Sequence, residues 1–149
     1  MSLDQRISEM IKEAMKTKDI IRLETLRAIK SAILLVKTKS AEKKDLSDGD
    51  EILLLQKLAK QRRESSEIYR SQKREDLENL EESQLKIIQE FLPKQLDDFE
   101  LEKILKDIVL NINAKNIKDM GKVMGSANKI IAGKADGKKI AEIVKKILS

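Results

Sequence analysis

Apolar residues recur every three or four positions along most of the chain, the period of a helix buried on one face. Leu3, Ile7, Met10, Ile11, Ala14 and Met15 predict a first helix over residues 3–17. A break at Lys18-Asp19 separates it from a second over 20–39, with Leu23, Leu26, Ile29, Ala32, Ile33 and Val36 on one stripe. Arg27 and Lys30 interrupt that stripe, and such side chains bury their stems while keeping the charge in water. Residues 40–48 are polar and aperiodic and run into Gly49, which predicts a loop, the most mobile of the chain. Ser47 or Asp48 then caps a long third helix, Asp48 and Glu51 having capping-box spacing. Its apolar positions Ile52, Leu55, Leu58 and Ala59 give way to a strongly polar stretch from Lys60 to Arg70.

Leu77, Leu80, Leu85, Ile88, Phe91 and Leu92 support one or two further helices before Pro93, which lacks an amide donor and restricts the residue ahead of it. A helix over 98–112, a turn from Asn111 to Lys118, and two short helices over 119–132 and 137–148 complete the chain. No alternating pattern competes anywhere, so the expected fold is all-α. It divides into an N-terminal multi-helix domain, residues 1–93, and a C-terminal three-helix bundle, residues 94–149. A bundle that small has a marginal core.

Residues 119–137 depart furthest from ordinary helix composition, holding four of the five glycines. Asp119 can cap the start of the glycine helix, Gly133 can end it in the left-handed conformation, and Asp136 can cap the next, with Ala135 stapled to Ile140. Gly121 and Gly125 lie four apart on one face, and each glycine inside a helix costs about 0.5–1 kcal/mol relative to alanine. Two in one short helix imply a close approach to its backbone, by a neighbouring helix or by an extended partner such as a nucleic-acid phosphate chain.

Composition narrows the chemistry. The chain is 40% hydrophobic and 38% charged, with three aromatic residues, Tyr69, Phe91 and Phe99. It has no cysteine and no histidine. Disulfides, thiolate and zinc sites, imidazole bases and the common nucleophilic triads are therefore excluded. No metal or cofactor is expected. A Ser–Lys dyad or a magnesium site of carboxylates such as Glu78, Glu81 and Glu82 is formally possible, but a solvated face explains these residues more simply. No apolar run reaches the ~18 residues of a membrane span, and no secretion signal is visible. The lack of cysteine fits a reducing compartment, and a cytoplasmic location is expected.

The net charge is +5 and is concentrated in the tail, where residues 115–149 carry nine lysines against Asp119, Asp136 and Glu142. Lys122, Lys134, Lys138 and Lys139 ring the helix start at Gly137, where lysines and free amides together make a phosphate site. The equally simple alternative is structural, with the glycines serving helix packing and caps. A second candidate is the basic stretch 57–74. Drawn on one continuous helix, Arg63, Tyr69, Arg70 and Arg74 share a face suited to RNA backbone and a stacked base. Helix ion pairs on a solvated face are its alternative. No Gly-x-x-x-x-Gly-Lys-Ser/Thr loop is present, so nucleotide binding is not supported.

Four motifs in register carry a family resemblance: Leu26-Arg27-Ala28-Ile29-Lys30-Ser31-Ala32-Ile33, Lys60-Gln61-Arg62-Arg63-Glu64-Ser65, Glu90-Phe91-Leu92-Pro93-Lys94-Gln95-Leu96, and the segment from Gly121 to Gly137. The chain resembles the YqeY family over essentially its whole length. Its tail is similar to the tail domain of the B subunit of glutamine-dependent tRNA amidotransferase, GatB. One departure is visible, Lys129 standing where many members carry proline in the glycine helix. The resemblance implies a tRNA-binding tail made of Gly121, Gly125, Gly133, Gly137 and the lysines around them, in an accessory protein whose N-terminal domain docks a protein partner. It also implies the label of a carbon–nitrogen ligase with glutamine as amide donor. That chemistry needs an amidase nucleophile and an ATP site, which in the known enzyme lie outside the tail, so no catalytic residue is assigned. The alternative from another class is a protein-interaction module without RNA affinity.

Overall fold

The computed structural model describes residues 1–39 and 45–149. Residues 40–44 of the expected mobile loop lie outside the described residues. Among the described residues the chain forms seven α-helices and one 3-10 turn and no strand, so the fold is all-α. It packs as two units, Met1–Leu92 and Pro93–Ser149.

The first unit holds α1 (Leu3–Thr17), α2 (Ile20–Lys39), α3 (Asp48–Ser71) and α4 (Glu75–Gln89). Ser2 starts α1 with a capping box, its side chain accepting from the Gln5 amide while Gln5 accepts from the Ser2 amide. Lys18, in the left-handed conformation, ends the helix and turns the chain into α2. Ser47 caps α3 by accepting from the Asp50 amide. Glu51, expected in a capping box with Asp48, instead accepts from the amide of Leu3 at 3.2 Å, so its carboxylate binds α1's start. Leu3, Ile7, Leu26, Ile29, Ile33, Leu55, Ala59 and Ile88 are buried in one cluster that involves all four helices. Val36, placed on the buried stripe by periodicity, is exposed instead, as are its neighbours Leu34 and Leu35.

Polar contacts frame this core. Asp4 on α1 accepts from Lys30 and, at 2.9 Å, from Lys37, both on α2. The Lys30 ammonium also reaches Ser8 Oγ at 2.7 Å, and Lys37 reaches Asp45 at 3.1 Å. Arg22 pairs with Glu90 at 2.9 Å, and the Arg6 guanidinium sits over the Phe91 ring, 5.5 Å from its centroid. Three i to i+3 bonds, from the amides of Glu90, Phe91 and Leu92, tighten the chain after α4 just before Pro93.

The second unit holds α5 (Asp98–Ile112), a 3-10 turn (Ile117–Asp119), α6 (Met120–Ile131) and α7 (Gly137–Leu148). Asp97 and Glu100 form the capping box of α5. Leu101, Leu105 and Ile108 of α5, Val123, Ala127 and Ile131 of α6, and Ile140, Val144 and Leu148 of α7 are buried together. Each triplet is spaced at three or four residues, so one stripe per helix builds a three-sided core. Ala135 and Ile140 both enter it, as the expected staple requires.

Candidate nucleic-acid interface

The glycine helix takes its shape from both faces. Val123, Ala127 and Ile131 point into the core, which leaves Gly121, Gly125, Asn128 and Lys129 on the opposite side, exposed. A methyl group added at Gly121 or Gly125 would meet nothing within 4 Å beyond the helix itself. Within the second unit, then, no neighbouring helix packs on the glycine face. The helices α5 and α7 lie on the other side of α6, against Val123, Ala127 and Ile131.

Lys122 and Lys129, seven residues apart, share one edge of this face, and α6 runs unbroken through Lys129 to Ile131. Lys134 and Lys138 are exposed just beyond its end. No carboxylate bonds the ammonium groups of these four lysines among the described residues. Lys139 differs, being paired with Asp98 at the start of α5.

Asp119 does not cap α6 as expected. It stands at the helix start without a side-chain cap bond, and its Oδ2 accepts from the amides of Lys115 at 2.9 Å and Asn116 at 3.5 Å. The chain curls into a 3-10 turn there, which brings those two donors within reach and carries the N-terminal amides of α6 away. The Lys115 amide foremost, then that of Asn116 and the charge of Lys122, hold the Asp119 carboxyl below the usual carboxylate range.

Gly133 has φ 82°, in the left-handed region, and is buried. Its carbonyl accepts from Gln95 Nε2 at 2.8 Å, while the Leu96 amide donates to the Lys134 carbonyl at 2.8 Å. The turn after α6 is therefore bound to the segment leading into α5. Gly137 opens α7 in free space, but Asp136 already accepts from the Lys138 amide at 3.5 Å. A carboxylate thus occupies the helix start where a phosphate was expected.

The second basic face is arranged differently from its helical projection. α3 ends at Ser71, and Lys73 at φ 58° reverses the chain, so Arg74 leaves the α3 face and pairs with Asp76 at 3.5 Å. Arg70 is held by Glu78 at 2.6 Å and Glu82 at 3.3 Å, which push its pKa up, Glu78 foremost. Arg62 Nε faces Glu81 Oε2 at 3.7 Å, both atoms buried and too far apart for a hydrogen bond. Arg63 and Tyr69 are half-buried on α3. Glu78, Glu81 and Glu82, weighed as cation ligands, thus each face an arginine across the α3–α4 hairpin.

A groove between α5 and α7 gathers Asp98, Glu102, Lys106, Lys139, Glu142 and Lys146. Two of its pairs are closed internally, Lys139 with Asp98, and Lys106 with Glu102 at 3.1 Å. No helix among the described residues is long and apolar enough to cross a membrane.

Comparison with known proteins gives a family and two relatives. The sequence profile described as Yqey-like protein matches residues 4–148. The chain is similar to a protein of Pyrenophora tritici-repentis named altered inheritance of mitochondria protein 41, mitochondrial, at 30% identity over 93% of this chain and 79% of that protein. It is also similar to the protein of the same name from Vanderwaltozyma polyspora, at 36% identity over 66% of this chain and 56% of that protein. These names overturn the expected cytoplasmic location, since both relatives are designated mitochondrial. The expectation rested on missing cysteines, and a chain without cysteine records only that it forms no disulfide, which carries no address.

Proposed function

The chain belongs to the YqeY family, and from that premise we propose that it is a non-catalytic accessory module whose C-terminal domain, residues 94–149, grips the phosphate backbone of structured RNA, with tRNA as the substrate class. The observation that carries this reading is the open glycine face of α6. Two helical glycines lower the stability of a short helix, and nothing in their own unit needs the space they leave. A sugar-phosphate chain laid across Gly121 and Gly125 would approach the helix backbone closely, with Lys122 and Lys129 along one edge and Lys134 and Lys138 beyond the helix end.

Phosphate binding at the α7 start is a weaker part of the reading, because Asp136 puts negative charge there. Lys139, paired with Asp98, contributes less than the four lysines that have no ion pair among the described residues. The N-terminal domain, residues 1–93, serves as the protein-docking half.

Filter binding of the full chain to tRNA between about 50 and 200 mM salt tests the proposal. Affinity is expected to fall steeply with salt, by a log–log slope near −0.8 per phosphate neutralised. Absence of binding at the low-salt end removes the RNA reading and leaves a protein-interaction module.

A further inference from the structure

The second unit contains a single aromatic residue, and it is left in water. Tyr69 is half-buried on α3 and Phe91 lies beneath the Arg6 guanidinium, whereas Phe99, in the first turn of α5, is 78% exposed. Leu101, Leu105 and Ile108 turn the opposite side of α5 to the core, so Phe99 stands on the outer ridge with Lys103, one turn on. Beside that ridge lies a groove of about 480 Å³, within the ~300–1,000 Å³ of small-ligand sites. Leu96 and Ile104, both half-buried, give it apolar surface. Lys94, Lys103 and Lys134 line it, and none of them has an ion pair among the described residues. Two acids line it as well, Asp107 and Glu100, the latter engaged by the Asp97 amide at 3.3 Å, so positive charge is in excess. Gln95 bonds the carbonyls of Pro93 and Gly133, both at 2.8 Å, and the Leu96 amide bonds the Lys134 carbonyl. The wall carrying Lys94 and Lys134 is therefore fixed before a ligand arrives, which lowers the cost of binding.

Lys134 also belongs to the lysines proposed to hold phosphate beyond the end of α6, so the groove continues that surface. Resting on the RNA reading above, we infer that the α5 groove takes one unpaired nucleotide of the bound RNA. Its base stacks on Phe99, and its phosphate lies beside Lys103, with the strand running on toward Lys134. Stacking needs an aromatic face and no particular hydrogen bonds, which suits a ring without a polar group of its own. Lys103 lies about 6 Å along α5 from Phe99, close to the separation between a base and its own phosphate. A base paired and stacked inside a duplex offers no open face to a side chain, so the nucleotide comes from a loop or a chain end. An apolar protein contact would use the same ring but would not need it to be aromatic, and that difference separates the two.

Binding of tRNA to the full chain across salt concentrations reads the ring and the charge separately. Phe99→Leu keeps an apolar side chain but loses the stack, and should weaken tRNA binding about fivefold or more without changing the log–log salt slope. Phe99→Tyr should bind as wild type does. Lys103→Gln should lower the slope instead, by about 0.7 for the phosphate no longer neutralised. Both positions are exposed, and unchanged helicity and melting temperature verify that the variants fold. Phe99→Trp gives the chain its only tryptophan, whose fluorescence should be quenched by tRNA, with its open loops and end, and not by a fully paired RNA duplex. A Phe99→Leu variant that binds tRNA like wild type overturns the nucleotide site and leaves the RNA reading of α6 standing. So does a tryptophan that stays unquenched in the tRNA complex, or one quenched equally by the duplex. Wild-type protein that binds no tRNA at about 50 mM salt removes that reading and this inference with it.

Discussion

The amide of Leu96 donates to the carbonyl of Lys134 at 2.8 Å, so a residue whose ammonium is offered to solvent has its main chain fixed inside the C-terminal unit. The side chain is thereby free to change without disturbing the bond that positions it. Lys134→Glu combined with Lys138→Glu should weaken tRNA binding and lower the log–log salt slope by about one for each phosphate no longer neutralised. The melting temperature should stay within a degree or two, as for other exposed substitutions (about ±0.5 kcal/mol). Equal binding by wild type and double variant would place the RNA surface elsewhere.

The glycine face permits a sharper test, because its two roles push in opposite directions. Gly121→Ala and Gly125→Ala have room for the added methyl group and should each stabilise the chain by about 0.5–1 kcal/mol. If a phosphate backbone lies on that face, the same substitutions should reduce tRNA affinity while the melting temperature rises. A fall in melting temperature would show that the glycines serve internal packing after all.

Gly133 should answer differently from its two helical neighbours. With φ at 82° it occupies a conformation that disfavours β-branched side chains, and its carbonyl is held by Gln95. Gly133→Val is expected to destabilise the C-terminal unit by about 1–3 kcal/mol, and Gln95→Ala by about 1 kcal/mol. Urea unfolding followed by circular dichroism measures both, and a neutral Gly133→Val would remove the turn from any role in stability.

Acid should act through Asp4. Its hydrogen bonds to Lys30 first and then to Lys37 hold the carboxyl below the ordinary carboxylate range, and its side chain is only 22% exposed. A carboxyl with a depressed folded pKa adds stability above its unfolded pKa of about 3.9, and that stability is lost as pH falls through the folded value. Asp4→Asn should therefore lower stability at pH 7 by about 1–2 kcal/mol, with the gap from wild type closing below about pH 4. Urea midpoints at pH 7 and near pH 2.5 read the difference, and a gap that stays constant would rule the Asp4 pairs out.

The helices were legible because each carries its own periodic stripe and its own boundary residues. Ser47 before α3 and Asp136 before α7 cap as their local sequence predicts. Leu101, Leu105 and Ile108 show in four- and three-residue steps which face of α5 turns inward. What failed was non-local. Glu51 was expected to cap its own helix but accepts from Leu3 on α1, and the bonds of Asp4 to Lys30 and Lys37 join two helices that local sequence does not bring together. The face drawn through Arg63, Arg70 and Arg74 assumed a helix that runs on, whereas Lys73 reverses it. For the candidate site, the glycine spacing was visible, but which side of α6 meets the core depends on α5 and α7. Periodicity likewise put Val36 inside, but Val36 is exposed one turn after the buried Ile33, while its neighbour Lys37 is the residue that reaches α1, at Asp4.

The carboxylates of α4 give the first unit an unused evolutionary option. Glu78 and Glu82 on Arg70, with Glu81 facing Arg62, keep the polar end of α3 close to electrical balance. Replacing Glu78 and Glu82 with glutamine would preserve much of the hydrogen bonding and remove two negative charges. A lineage two substitutions away could thus present a polycationic arginine surface on a scaffold that hardly moves. New polyanion affinity in this family could arise by deleting acids rather than by adding bases.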